Sequence, residues 1–494
     1  MKKKNNKFKN FLDSYSKWVP PKILILLGLI VLILLIGLAF FEIDNDFWFL
    51  INLGRSIINN GIPNIEPFTI HSNLDFIAQQ WLTDVIFYLI YDKFGIYGML
   101  FLLTFINTIV AFLTYKLSML LSDGKIKLSF LVTIIFDVFF ITMFLKTRPQ
   151  AFDTILLLLE IYLLELYVKK NKKTYLIGLP LISILMINFH SSIWSMLFVF
   201  LLPYFAERIK YFSKEDYQIK PLIIITILMF ICGLINPYGI EAIKYLFNSY
   251  GVDIINNLIG EMKPIQITNC LSIFCYMALI IYAFYYNKGK NKTRYFFFAL
   301  GTVYLALNHY RAVLYFLICT IPTLAYNFKN IFKEKAKQEF MYQSKPTNIL
   351  IGITILICIS IYGYYLSSIN LETINRPDLY EIGKYLTNNV EKTSIIYTGY
   401  DEGSYIEYLG YKCYLDPRAE VFLKANNHKE DILQEWYYLQ KRKLDYQDFL
   451  EKYNFDYLIV STNDILYYEL ETTNYELVFE KVTKTKSYRV YKKA

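Results

Sequence analysis

The chain has 494 residues, 55% of them hydrophobic, and a mean hydropathy of +0.32. This composition excludes an ordinary soluble globular protein, because a soluble core does not need so large an apolar fraction. The net charge of +9 indicates cytoplasmic loops rich in Lys and Arg rather than nucleic-acid binding, and the six cysteines have neither disulfide-framework nor zinc-ligand spacing.

The apolar segments predict a multispan membrane protein. The first, at 22–41, follows a basic tail and is expected to be a retained anchor, since it is longer than a signal core and no small-residue cleavage site follows. A membrane-crossing helix needs about 20 mainly apolar residues. The sequence predicts about 11 such spans, at 22–41, 97–120, 128–145, 151–168, 174–189, 191–206, 221–236, 270–287, 293–307, 310–327 and 348–366.

The distribution of Lys and Arg predicts the orientation of these spans. With the amino terminus in the cytoplasm, the tail and inner loops carry about 26 Lys and Arg residues, and the outer loops between spans carry about seven. Cytoplasmic loops of membrane proteins carry the excess of these residues. We therefore expect a multi-pass protein of the bacterial plasma membrane, with a cytoplasmic amino terminus and an exported carboxyl terminus.

Two predicted outer loops are long, at 42–96 and 237–269. The first contains amphipathic stretches at 47–51 and 81–87, each with aromatic residues. Helices that lie in the membrane interface place such residues at the depth of the lipid headgroups. We expect interfacial helices in this loop.

The last quarter of the chain has the composition of a soluble domain. Helical patterns occur at 377–388, 402–409 and 429–441, and strand patterns at 394–398, 413–415, 457–461, 476–482 and 487–491. This alternation predicts a small extracytoplasmic α/β domain at 368–494, which follows a transmembrane domain at 1–367.

Polar residues that are costly at membrane depth fall on the outer side of this topology. They are Asp44, Asp46, Arg148, Gln150, Asn188, His190, Asn236, Glu261, Asn308, His309 and Arg311. Singly, the acids are also consistent with solvated loops, the arginines with lipid anchors, and His190 with an interhelical hydrogen bond. Together they predict one external site, where a carboxylate takes a proton from an acceptor and arginines hold a lipid phosphate.

Several motifs resemble those of the GT-C superfamily of membrane glycosyltransferases, including the branch of the lipid A aminoarabinose and protein mannosyltransferases. The chain is also similar to a family of bacterial GT-C-like membrane proteins over most of its length. The matching motifs are Asp44-Asn45-Asp46-Phe47-Trp48, Gly54-Arg55, Gly61-Ile62-Pro63, Trp81-Leu82, Arg148-Pro149-Gln150, Asn188-Phe189-His190, Asn236-Pro237-Tyr238-Gly239, Arg311 and Asp416-Pro417-Arg418. Two positions depart from the family pattern, Glu66 before Pro67 and Ser191 after His190.

The resemblance implies a polyprenyl-phosphate-linked sugar donor and an extracytoplasmic acceptor that is a glycan, a lipid or a protein. It implies that Asp46 is the catalytic base, with Asp44 as its partner or as a ligand, together with Asp46, of Mg²⁺ or Mn²⁺. It also implies that Arg148 and Arg311 contact the donor phosphate and that His190 lines the pocket. Arg55, Glu261 and His309 are further predicted substrate-binding residues.

Two other functions remain open from the residues alone. A transporter or flippase of lipid-linked glycan intermediates would place its polar residues near the bilayer midplane, often with an internal repeat, and neither feature is found here. A membrane-anchored assembly scaffold would depend on residues 370–494 and not on Asp46.

Overall fold

The computed structural model of the chain describes residues 43–209, 211–212, 217–249, 251–287, 290–331, 377–470, 473–483 and 486–494, together with positions 353, 356, 360 and 364. The predicted anchor at 22–41 and the predicted domain boundary at 367/368 lie outside the described residues. The predicted span at 348–366 does too, apart from the four single positions.

Helices form most of the described chain up to residue 331. They are Asp46–Asn60 (α1), Trp81–Leu121 (α2), Ile126–Met143 (α3), Gln150–Lys170 (α4), Gly178–Phe189 (α5), Trp194–Glu207 (α6), Ile219–Cys232 (α7), Ile240–Ser249 (α8), Asp253–Leu258 (α9), Ile267–Tyr286 (α10), Thr293–Asn308 (α11) and Val313–Asn327 (α12). Each of the nine predicted spans between residues 97 and 327 coincides with one of these helices.

Three of the described helices, α2, α3 and α10, are long and apolar enough to cross a membrane. Shorter apolar helical segments are Lys173–Phe189, Ser191–Glu207 and Ile219–Cys232. The count of 11 spans therefore stays a prediction. Within α2 the backbone at Gly95 has φ of 58°, a left-handed conformation that favours glycine, so the helix is kinked between its first part, 81–94, and its second part, 96–121.

A buried ion cluster joins three helices at the ends remote from Arg148 and Arg311. The side chain of Arg294, at the start of α11, is buried. Its Nε lies 2.8 Å from Oε1 of Glu165 on α4, and its Nη1 lies 2.8 Å from Oε2 of Glu207 on α6. Such a cluster holds α4, α6 and α11 in one arrangement, because a buried charge without its partner is strongly destabilising.

The predicted carboxyl-terminal α/β domain is present. Its strands are Ile395–Thr398 (β1), Lys412–Cys413 (β2), Tyr457–Ser461 (β3), Tyr475–Val482 (β4) and Ser487–Lys493 (β5), and its helices are Tyr380–Asn389 (α13), Gly403–Tyr408 (α14), Lys424–Asn427 (α15), Ile432–Gln440 (α16), Tyr446–Tyr453 (α17) and Leu466–Glu469 (α18). The sheet order is β2-β1-β3-β5-β4, with β1 parallel to β2 and β3 and with β5 antiparallel to β3 and β4.

The predicted first outer loop, at 42–96, and this domain form one structure. Thr69 pairs with Cys413 in a parallel bridge at the edge of the sheet, where Ile70 N donates to Cys413 O at 3.0 Å. Nearby, Nη2 of Arg418 lies 2.7 Å from Oε1 of Glu66. These contacts hold the carboxyl-terminal domain against the helical domain and thereby position its sheet over the predicted site.

The aromatic residues of α1 lie in a protein core rather than at headgroup depth. The side chains of Phe47, Trp48 and Phe49 are all buried. The ring of Trp48 lies 5.0 Å from that of Tyr405 and 4.9 Å from that of Tyr408, both on α14 of the carboxyl-terminal domain. The aromatic face of α1, which predicted an interfacial helix, is therefore covered by the carboxyl-terminal domain.

Candidate active site

Five of the residues predicted for catalysis or substrate binding line one cavity between the helical domain and the carboxyl-terminal domain. The cavity has a volume of about 600 Å³. Its predicted members are Asp46 at the start of α1, Arg148 before α4, His190 after α5, Glu261 after α9 and Arg311 before α12. Helix ends and turns supply all five, so the helical scaffold fixes their positions while their side chains remain accessible from the cavity.

Arg148 lies at the centre of a cluster of carboxylates. Its Nη2 is 2.9 Å from Oδ1 of Asp44 and 3.0 Å from Oδ2 of Asp46, and its Nη1 is 2.7 Å from Oε1 of Glu261. Lys146 adds a longer contact of 3.6 Å to Asp44. These contacts differ from those of an arginine that reaches towards headgroup phosphate, because the Arg148 guanidinium holds the acids of two chain segments together.

The two aspartates of this cluster have different proton affinities. Burial raises the pKa of Asp46 to about 7, and the charges of Asp44 and Glu261 add to this effect while Arg148 opposes it. Burial also acts on Asp44, but the charge and hydrogen bond of Arg148, with help from Lys146, bring the pKa of Asp44 below its ordinary value. Asp44 is therefore a fixed anion, and Asp46 can gain or lose a proton near neutral pH.

His190 forms a buried pair with an acid that sequence reasoning missed. Its Nδ1 lies 2.6 Å from Oδ2 of Asp153, and both side chains are buried. A proton on Nδ1 would be donated to Asp153, which leaves Nε2 as the atom available to a ligand. Asp153 could have been found from sequence, since it is an acid in an apolar helix three residues after Gln150 and therefore on the same face.

Arg311 differs from Arg148 in its surroundings. Across the described ranges it forms no ion pair, and its Nε has no hydrogen-bond partner. Its charge nevertheless acts on Asp46, whose pKa it lowers in opposition to burial. A guanidinium without a carboxylate partner beside a cavity is suited to binding an anionic ligand.

The carboxyl-terminal domain forms the opposite wall of the cavity. This wall contains Tyr400, Glu402, Arg418, Trp436 and Asp464. Only Arg418 belongs to a motif that the sequence indicated, Asp416-Pro417-Arg418. The others could not be assigned from sequence, because nothing in the local pattern shows which loops of the sheet face the membrane domain.

Two residues predicted for substrate binding lie outside the cavity. Nη2 of Arg55 lies 2.6 Å from Oδ1 of Asn52 and 3.0 Å from Tyr408 O, so Arg55 joins α1 to the carboxyl-terminal domain. The ring of His309 contacts Met262 O through Nδ1 at 2.7 Å and faces a separate shallow pocket. These placements give no support to a substrate-binding role for either residue.

Comparisons with solved structures identify the fold. No protein-family model matches the sequence, and no curated protein matches it. The oligosaccharyltransferase of Archaeoglobus fulgidus in the apo form matches with a TM-score of 0.53 at 12% identity, over 90% of this chain and 70% of that chain. ArnT from Cupriavidus metallidurans bound to undecaprenyl phosphate matches with a TM-score of 0.54 at 9% identity, over 95% and 97%.

This chain has the GT-C fold. The expectation drawn from the motifs is thereby confirmed for the fold. At identities this low, structural similarity does not identify the substrate, which depends on the side chains in the cavity.

The predicted metal ligands can be compared with one further GT-C structure. The A. fulgidus oligosaccharyltransferase in complex with Zn and sulfate matches with a TM-score of 0.55 at 12% identity, over 87% of this chain and 67% of that chain. Here Asp44 and Asp46 both contact Arg148, and no three His, Cys, Asp or Glu side chains are grouped for a metal ion anywhere in the described segments. As placed, these acids do not fit Mg²⁺ or Mn²⁺, because a guanidinium occupies the space between them.

Proposed function

We propose that this chain is a glycosyltransferase that moves a sugar from a polyprenyl-phosphate donor to an extracytoplasmic acceptor. The observation that carries the proposal is the neighbourhood of Asp46. A carboxyl group with a pKa of about 7 lies in one cavity with a carboxylate-bound arginine and a second arginine that has no ion-pair partner in the described chain. A general base is most effective when its pKa is near the operating pH.

The reaction assigns a task to each side chain. An acceptor hydroxyl or amine attacks the anomeric carbon of the donor sugar, and the bond from that carbon to the phosphate oxygen breaks with its electron pair on the phosphate. Asp46 takes the proton of the acceptor. Arg311 stabilises the negative charge that develops on the phosphate, and Arg148 holds the carboxylates in position.

A narrow cleft beside the cavity suits a lipid donor. It shares Arg148, Glu261 and Arg311 with the cavity, and its other lining residues include Phe144 and Leu314 near the ends of the apolar helices α3 and α12. A prenyl chain requires an apolar path next to the position of its phosphate. The cleft offers that combination.

Loss of the Arg311 charge should impair use of the donor. We expect Arg311→Gln to lower kcat/KM for a polyprenyl-phosphate sugar by about 10²–10³-fold, as when a group that stabilises developing charge is removed, and Arg311→Lys to restore part of it. The assay is release of labelled sugar from the donor by the purified protein. The matched control is His309→Gln, two residues away but outside the cavity, which should retain wild-type activity. Equal losses in Arg311→Gln and His309→Gln would contradict this role.

The pH dependence should follow the ionisation of Asp46. A base acts only when it is deprotonated, so kcat/KM should fall about tenfold for each pH unit below the pKa of about 7. Asp44→Asn should move this inflection to lower pH for two reasons. The negative charge of Asp44 raises the pKa of Asp46, and Asp44 competes with Asp46 for the positive charge of Arg148. A pH profile between about 5 and 8.5 that is flat, or that is unchanged in Asp44→Asn, would rule out Asp46 as the titrating base.

A further inference from the structure

The sheet of the carboxyl-terminal domain presents a ligand-binding edge to the cavity. From β1 the chain continues to β2 on one side, whereas β3 lies on the other side of β1. In sheets of this type, ligands bind beyond the carboxyl ends of the strands at the point where the strand order reverses. The residues after β1, Gly399 to Glu402, and those after β3, including Asn463 and Asp464, all line the cavity.

Gly399 allows the two acids at this edge to approach closely. A side chain at position 399 would place its Cβ 2.6 Å from Oε2 of Glu402 and 3.4 Å from Oδ2 of Asp464. Both carboxyl groups are buried, and Asp464 accepts a hydrogen bond of 2.6 Å from the hydroxyl of Tyr397. Burial raises the pKa of Glu402 to about 7, so Glu402 can either donate or accept a hydrogen bond near neutral pH.

Two aromatic rings lie beside these acids. The rings of Tyr400 and Trp436 are 6.1 Å apart with an angle of 34° between their planes, and both line the cavity. The hydroxyl of Tyr400 donates to Pro417 O at 2.7 Å, which fixes the ring. Aromatic faces next to carboxyl and amide groups can pack against the C–H surface of a sugar while the polar groups bind its hydroxyls.

An unsatisfied donor adds an independent sign that a ligand binds here. The side chain of Arg418 is only 6% exposed and lines the cavity. Its Nη2 contacts Glu66 and Asp416, but its Nη1 has no hydrogen-bond partner in the described part of the chain. A buried N–H without a partner is costly, and a ligand hydroxyl in the cavity can satisfy it.

The charges differ between the two walls of the cavity. The domain wall is formed by Tyr400, Glu402, Arg418, Trp436 and Asp464 of the carboxyl-terminal domain, and the membrane wall is the opposite wall, formed by the helical domain. Arg311 on the membrane wall has no ion pair in the described residues, which favours an anion there. On the domain wall, Lys486 contacts Asp401 at 3.2 Å and Glu402 at 3.7 Å, and Arg418 is surrounded by acids. Both cations are thus paired with acids, which disfavours an anionic ligand. Burial raises the pKa of Glu402, Glu407 and Asp464, which reduces the negative charge of the wall and favours a neutral ligand rich in hydroxyl groups over a cation.

We propose that the domain wall, defined by Tyr400, Glu402, Arg418, Trp436 and Asp464, is the acceptor subsite and that the acceptor is a neutral carbohydrate. This inference rests on the proposed function and names its acceptor class. The acceptor sugar packs on Trp436 and Tyr400, and its hydroxyls bind Glu402, Asp464 and Nη1 of Arg418. One hydroxyl is then directed towards Asp46 across the cavity.

The test is direct binding without donor. Purified full-length protein is titrated with maltotetraose, cellotetraose, chitotetraose and, separately, tetralysine, by calorimetry. We expect at least one neutral tetrasaccharide to bind and Trp436→Ala to weaken it by about tenfold, with Trp436→Phe close to wild type. The matched control is Tyr438→Ala, an exposed aromatic on the same helix that is outside the cavity.

Three outcomes would overturn the inference: binding of tetralysine alone, binding of none of the four compounds, or equal tetrasaccharide affinity in wild type and Trp436→Ala.

Release of sugar from the polyprenyl-phosphate donor is measured on the same preparations. A protein that uses the donor but binds no tetrasaccharide leaves the proposed transferase intact and removes only the acceptor assignment. In a transfer assay, Trp436→Ala should raise KM for the acceptor and leave KM for the donor unchanged.

Discussion

Replacement of Asp46 by Asn should lower the rate of glycosyl transfer by about 10²–10⁴-fold, the usual contribution of a positioned general base. Asn has nearly the same shape as Asp and can still accept a hydrogen bond from Arg148, but it cannot take a proton from the acceptor. The defect should appear in kcat, while binding of the donor changes little. The measurement is single-turnover transfer from a polyprenyl-phosphate sugar, with donor binding followed separately.

The matched control for this variant is Asp75→Asn. Asp75 lies in the same predicted loop as Asp46, but it is exposed, pairs with His428 at 2.8 Å and does not line the cavity. Its replacement should leave transfer within about twofold of wild type, as expected for a surface substitution. Full activity of Asp46→Asn would exclude Asp46 as the base, even if the protein is a transferase.

Local sequence pattern predicted the elements but not their assembly. The apolar runs located eight helices to within about four residues at each end, since hydrophobic length and periodicity are local properties. The ninth, α2, begins at Trp81, well before the predicted span at 97–120. The buried stretch at Phe47–Ile51 was interpreted as interfacial, because an aromatic face looks the same whether lipid or another domain covers it. The helix α17 was missed: only Phe449 and Leu450 of its eight residues are buried, which gives little periodic signal.

The site was partly predictable for a related reason. Charged residues in membrane turns are costly, so Asp46, Arg148, Glu261 and Arg311 could be found from sequence as a group. Their pairing could not, because contacts such as Arg148 with Glu261 join segments more than 100 residues apart. Of the domain wall, only Arg418 was indicated by a sequence motif, since the positions of Glu402 and Trp436 beside the cavity depend on how the sheet docks.

The docking contact at Arg418 should be among the most sensitive positions in the protein. Arg418 contacts Asp416 and Glu66 closely, and Glu407 at 3.8 Å, and all of these side chains are buried. Arg418→Leu fills similar space but leaves several buried acids without a counter-charge. We expect a loss of about 3–5 kcal/mol in the free energy of unfolding, with faster proteolysis of the carboxyl-terminal domain. Thermal unfolding and limited proteolysis of the purified protein measure these effects.

The pH dependence separates this role from a general packing defect. Burial opposes ionisation of Glu66, but Arg418 and hydrogen bonds from Thr69 and Phe68 hold the pKa of Glu66 below its ordinary value of 4.5. A carboxyl group with a lowered pKa stabilises the folded state above that ordinary value, and this stabilisation is lost as the pH falls through the folded pKa. The difference in stability between wild type and Arg418→Leu should therefore narrow as the pH falls below about 4.5.

The control for Arg418 is Arg442→Leu. Arg442 is in the same domain and pairs with Glu469 at 2.8 Å, but its side chain is 70% exposed. An exposed ion pair contributes little, so this variant should unfold close to wild type at every pH. If Arg418→Leu behaves like Arg442→Leu, the buried ion pairs of Arg418 contribute little to the docking of the two domains.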